Sequence, residues 1–207
     1  MRKTFRPWTH PFAKWAAAPV FVSVAALIAP DVSAAPAGPA TAAPVCPEVL
    51  RFTQPRLQDE RPINLCDYAG QVVLVVNTAS KCGYTPQYKS LDALNARFKA
   101  RGFVVLGFPS NDFGQQEPGD NAAIAEFCEN QFAVRFPMFA KTVVRGAAGS
   151  PATPFYAGLA ARTGQAPQWN FHKYLISRSG VVRSYVSDVD PQNPAFAKAI
   201  EDLLVAK

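Results

Sequence analysis

The chain has 207 residues, 49% hydrophobic and 17% charged, a globular composition that excludes intrinsic disorder. Half of its formal charge of +6 comes from Arg2, Lys3, Arg6 and Lys14 set against Asp31; the rest is spread without basic blocks, so no nucleic-acid partner is expected. The four cysteines include no C-x-x-C pair, which argues against a zinc site or a vicinal dithiol.

Residues 1–34 read as an export signal. Basic residues precede the apolar, alanine-rich stretch from Ala16 to Ala29, and "DVSAAP" supplies small residues for cleavage after Ala34. The apolar stretch is short against the roughly 20 residues of a membrane span, so no stable membrane association is expected. An uncleaved anchor is the competing reading. Residues 35–45 are Ala/Pro-rich and suit an exposed linker, leaving 46–207 as the folded domain. An exported domain sits in an oxidising compartment, with the periplasm as the expected location. Only His172 then remains in the mature chain, so a two-histidine catalytic site is excluded, and no metal or cofactor is expected.

"VVLVV", from Val72 to Val76, is a continuous β-branched run of the kind a strand buried on both faces requires. Tyr88, Leu91, Leu94 and Phe98 follow at helical spacing, with Thr85-Pro86 ahead as N-cap and first helical residue. "VVLGF", residues 104–108, is a second buried strand, completing a parallel crossover unit. Ile124, Phe127, Cys128 and Phe132 mark an amphipathic helix capped by Asp120. "FPMFA" is a short strand or loop, and Thr153-Pro154 starts a third helix. "KYLIS", the turn "RSG" and "VVRSYV" form an antiparallel hairpin, and Asn193-Pro194 opens the last helix. A parallel unit feeding an antiparallel hairpin predicts an α/β, thioredoxin-like fold, a central mixed β-sheet flanked by helices on both faces.

Cys82 falls between the first long strand and its helix, where open α/β sheets bind ligands and where a helix N-terminus favours a thiolate. A half-buried inert cysteine is the alternative. Easier ionisation of a thiol is partly offset by lower nucleophilicity and yields only a factor of about three. The larger contribution must come from donors that position the electrophile and stabilise the departing oxygen. Two strand-end segments supply neutral donors: "FPSNDFGQQEPG", residues 108–119, and "QWNF", residues 168–171. Taken singly, Gln115 and Gln116 also read as solvated loop residues, Trp169 as core and Asn170 as a turn former.

The blocks "VVNTASKCGYTPQY", "LGFPSNDFGQQEPG", "FPMFAK" and "WNFHKYLI" resemble the signature blocks of the glutathione peroxidase family, in order and at similar spacing. The resemblance implies reduction of hydrogen peroxide and organic hydroperoxides by a catalytic tetrad of Cys82, Gln116, Trp169 and Asn170. It also implies a resolving role for Cys128, while Ser110 stands where many members carry another cysteine. Regeneration would then fall to a thioredoxin-like dithiol protein or to glutathione. Only a few residues precede Trp169 after the third helix, without the insertion that builds tetramers in some members, so a monomer is expected. Cys46 and Cys66 precede the first core strand and lie outside those blocks, which predicts a structural disulfide between them; two separately buried thiols are the alternative. The rival functions are an exported thiol–disulfide oxidoreductase, for which Gly83 and Thr85 leave no vicinal partner to Cys82, and a metallochaperone-like module, for which His172 is poor support. A binding module also remains if Cys82 is inert.

Overall fold

The computed structural model describes residues 44–147 and 150–206; the signal read over 1–34 and most of the linker lie outside them. A 3-10 turn at Glu48–Leu50 leads into the hairpin β1 (Thr53–Pro55) and β2 (Pro62–Asn64), followed by a second 3-10 turn at Leu65–Tyr68. The central unit is β3 (Val72–Thr78), α1 (Gln87–Phe98) and β4 (Phe103–Pro109), then α2 (Asn121–Phe132). The short pair β5 (Gly146–Ala147) and β6 (Ser150–Pro151) precedes α3 (Pro154–Thr163), β7 (Lys173–Ile176), β8 (Val182–Tyr185) and α4 (Pro194–Val205).

The main sheet runs β4-β3-β7-β8. β3 is parallel to β4 and antiparallel to β7, so it donates hydrogen bonds on both sides. All seven residues of β3 and all seven of β4 are buried, which accounts for their unbroken apolar runs. Successive side chains point to opposite faces of a strand. Val72, Leu74 and Val76 accordingly pack with Tyr88, Leu91 and Phe98 of α1, Ile124 and Cys128 of α2, and Phe196 and Ile200 of α4. Val73 and Val75 pack on the other face with Phe155, Tyr156 and Leu159 of α3 and with Val49 and Leu50. The fold is thus a thioredoxin-like mixed sheet with helices on both faces.

The segment 136–140 lies along β4 through a bridge between Gly107 and Met138. A Cβ on Gly107 would meet the Met138 sulfur at 2.3 Å, so glycine is what allows this approach. Cys46 and Cys66 are disulfide-bonded, with Cα atoms 5.3 Å apart, tying the start of the domain to the second 3-10 turn. One local expectation fails. α1 begins at Gln87, and the Thr85 hydroxyl does not cap it. Thr85 Oγ1 instead accepts from the Cys82 N–H at 3.0 Å and donates to the Ala79 carbonyl at 2.8 Å. The hydroxyl has two chain segments to satisfy inside the loop, and that outweighs the cap.

Candidate active site

The β3–α1 connection wraps Cys82 around this Thr85 hydroxyl. The thiol is free and 8% exposed. The Tyr84 N–H points at its sulfur from 3.4 Å, so one backbone donor is already directed at this candidate nucleophile.

The two neighbours of β3 bring the other expected residues to the same end of the sheet. Beyond β4, the loop 110–119 places the Gln116 carbonyl where it accepts from the Lys81 N–H at 3.0 Å. Ahead of β7, Asn170 is fully buried, and its Nδ2 donates to Gln116 Oε1 at 2.9 Å and to the Phe113 carbonyl at 3.4 Å. That bond occupies the Gln116 oxygen and leaves the Gln116 amide N–H groups to donate elsewhere. Trp169 is 38% exposed and packs on Phe113 with ring centroids 5.7 Å apart. At the end of β3, Asn77 locks the segment from below. Its Nδ2 donates to the Trp169 carbonyl at 3.1 Å, and its own carbonyl accepts from the Phe171 N–H at 2.6 Å.

Both donor loops contain a left-handed residue that is not glycine: Gln115 at φ 52° beside Gln116, and Phe171 at φ 63° beside Asn170. Each such residue costs about 1–3 kcal/mol, a strain that clusters at functional sites because the surroundings must impose it. The Cys82 loop is flanked by two depressions. One, of about 230 Å³, is lined by Ser80, Lys81, Glu117, Ala123, Ile124 and Phe127. The other, of about 420 Å³, is lined by Tyr84, Gln168, Trp169, Val186, Ser187 and Asp188.

Cys128 shares the core face with Cys82 but is not bonded to it. Burial pushes its thiol up to about 11; the adjacent Tyr88 hydroxyl opposes that rise and the Glu117 charge adds to it. α2 itself is lightly held, for only Ile124 and Cys128 are buried among its twelve residues. Cys46 and Cys66 stand apart, beside the opposite core. Ser110 is buried, its N–H donating to the Thr78 carbonyl at 3.0 Å.

Three groups at the site escaped the sequence reading. Glu117 is 1% exposed, and burial raises its carboxyl above the ordinary range against the pull of Ser80, Lys141 and Lys81. Asn77 directly ends an apolar run, a polar residue where the strand is still buried. Lys173, first in the buried strand "KYLI", is fully buried, although a charge at a strand start reads as solvated.

A lone thiol at a strand end, with two amide-bearing loops at the same end of the sheet, fits a thiol-dependent oxidoreductase on a thioredoxin-like fold. Residues 50–159 match the family model of glutathione peroxidase. A hydroperoxy fatty acid reductase from Synechocystis is 47% identical over 156 residues, covering 70% of this chain and 90% of the relative. The thioredoxin/glutathione peroxidase BtuE of Escherichia coli is 39% identical over 163 residues, covering 68% and 88%. The apo-form crystal structure of Trgpx superposes with a TM-score of 0.60 at 34% identity, over 75% of this chain and 94% of that one. The chain belongs to the glutathione peroxidase family, and it is a thiol peroxidase.

Proposed function

We propose that the protein reduces hydrogen peroxide and organic hydroperoxides through Cys82, resolves the oxidised sulfur with Cys128, and is recharged by a thioredoxin-like dithiol protein or by glutathione. The observation that carries this reading is the hydrogen-bonded chain Lys81–Gln116–Asn170, which ties the Cys82 loop to both amide-bearing loops. The Cys82 thiolate attacks one peroxide oxygen; the S–O bond forms as the O–O bond breaks, and the alkoxide leaves as alcohol or water after taking up a proton. Gln116, Trp169 and Asn170 orient the oxygens and stabilise the developing charge. The Cys128 sulfur then attacks the sulfenic sulfur, forming the disulfide and releasing water.

Burial of Cys128 supports a conformational step before resolution. A thiol held at about 11 is about one part in ten thousand ionised at pH 7. Release to water returns it to about 9 and raises the thiolate fraction roughly 100-fold. Opening of α2 therefore activates the resolving sulfur as well as moving it.

Export to the periplasm rests on the leader of basic, apolar and small residues at 1–34, and the monomer on the short connection between Thr163 and Trp169. The test is peroxide consumption with a thioredoxin-like donor. Cys82→Ser is expected to abolish it. Cys128→Ser should lose dithiol-driven turnover while keeping one rapid oxidation of Cys82, and wild-type protein should yield a Cys82–Cys128 linked peptide. Undiminished turnover in Cys128→Ser would leave a one-cysteine peroxidase.

A further inference from the structure

A buried lysine lies directly behind the Asn170 segment. Lys173 Nζ donates to the Phe171 carbonyl at 2.8 Å and to the Ser187 carbonyl at 3.2 Å. Gln87 Nε2 of α1 donates to the same Ser187 carbonyl at 2.8 Å. One ammonium thus ties the strained segment 169–171 to the loop after β8, and Ser187 also lines the depression beside Trp169. Phe171 is the left-handed residue, so its carbonyl points where it does only while something holds it there. Asn77 holds the N–H side of Phe171; Lys173 holds the carbonyl side.

A purely structural role does not require a lysine. Moving an ammonium into a protein interior is costly, and a well-packed apolar side chain of similar volume is often as stable or more so. What the charge adds is strong, charge-assisted donation to two carbonyls at once. We propose that Lys173 is a positioning residue for peroxide reduction, its ammonium fixing the Phe171 carbonyl and thereby holding Asn170 on Gln116. This rests on Cys82 being the peroxidatic residue.

The geometry carries a pH dependence. Burial brings the Lys173 amine down to about 7, while Asp188 and Asp190 on the following loop pull the other way. The other groups around it are His172 just ahead of its strand, the Gln87 amide from α1, the cross-strand partner Tyr185 of β8, and Val76 of β3. His172 is itself driven down to about 4, first by burial and then by Lys173, so it is neutral in the range concerned. Below about pH 7 the ammonium clamps both carbonyls; above it the neutral amine donates more weakly, and the Asn170 segment loosens.

The test uses the full-length reduced protein, with the rate of Cys82 oxidation by one equivalent of peroxide measured by stopped flow between pH 5.5 and 9. Wild-type rates are expected to contain a falling component with its midpoint near 7. Lys173→Met should lose that component and slow oxidation roughly 10- to 100-fold at pH 6, up to the cost of misplacing a group by about 1 Å. A structural role alone predicts a lower melting temperature with the shape of the pH profile retained. Lys173→Met matching the wild-type rate across the range overturns the proposal, while wild-type oxidation at Cys82 still upholds the peroxidase reading. Should the variant fold poorly, the Asn170 side-chain amide of the wild type decides by NMR. Movement with the same midpoint as the Lys173 amine supports the positioning role, and a static resonance while Lys173 titrates overturns it.

Discussion

Ala133 offers a way to stabilise the protein and slow it at once. It closes α2 in the left-handed conformation, with φ 49° and ψ 44°. The next residue, Val134, donates its N–H to the Cys128 carbonyl at 3.1 Å, so the closing turn rests on the backbone of Cys128, the proposed resolving residue. Glycine takes this conformation without the Cβ penalty, and Ala133→Gly is expected to stabilise the closed helix by about 1 kcal/mol. If Cys128 acts only from an opened α2, the open population falls about fivefold, and disulfide formation slows by the same factor. The first oxidation of Cys82 should be unaffected, because Ala133 touches neither Cys82 nor its donors. Acid-quenched samples, alkylated and weighed by mass spectrometry after one equivalent of peroxide, would separate sulfenic acid from disulfide over time. A raised melting temperature with unchanged or faster disulfide formation would refute the opening step. An unchanged melting temperature would refute the strain on which it rests.

Gln116→Ala is expected to lower the oxidation rate about 10²–10³-fold with little loss of stability, whereas Gln115→Ala should be mild; stopped-flow rates on both decide, and the reverse ranking would move the donor to Gln115. Replacing Cys46 and Cys66 by alanine should cost roughly 3 kcal/mol, read by urea unfolding, while the reduced protein still oxidises at Cys82; unchanged stability would mean the 20-residue closure contributes nothing. Burial lowers His172 to about 4 from about 6.5 in the unfolded chain, so its contribution is present above pH 6.5 and lost as pH falls through 4. That amounts to about 3 kcal/mol, and His172→Gln should flatten the stability profile between those limits; an unchanged slope in urea midpoints would remove His172 as the cause.

The parts that were legible in the sequence share a physical cause. β3 and β4 are buried on both faces, so most of their residues are valine, leucine and phenylalanine, and the apolar run was readable. The residues of the site were legible because they occupy strand ends, where an amide or indole stands out from the apolar strand it adjoins. Lys173 was opaque for the opposite reason. A lysine at the start of a hairpin strand reads as solvated, and nothing local reveals that two carbonyls from segments 14 residues apart on one side and two on the other converge on its tip. Thr85 misled because Thr-Pro ahead of a helical pattern satisfies the rule for a helix start, while the competing use of its hydroxyl depends on how the loop folds. The exposure of Trp169 is likewise a property of the assembled site, set by the loop it meets at Phe113.

The close fit of Met138 against Gly107 bears on how such a protein survives its own substrate. Thioethers are oxidised by peroxides to polar sulfoxides, which disrupt the cores that contain them. Met138 is 3% exposed and packs against a position where no side chain fits, Cys128 is also 3% exposed, and the sulfurs of Cys46 and Cys66 already share a bond. Among the described residues, that leaves Cys82 as the sulfur set in a donor-lined loop between two surface depressions. With Cys82 as the reacting sulfur proposed above, the molecule is in effect an oxidant titrator, and the first equivalent of peroxide reports on that sulfur before it damages the scaffold.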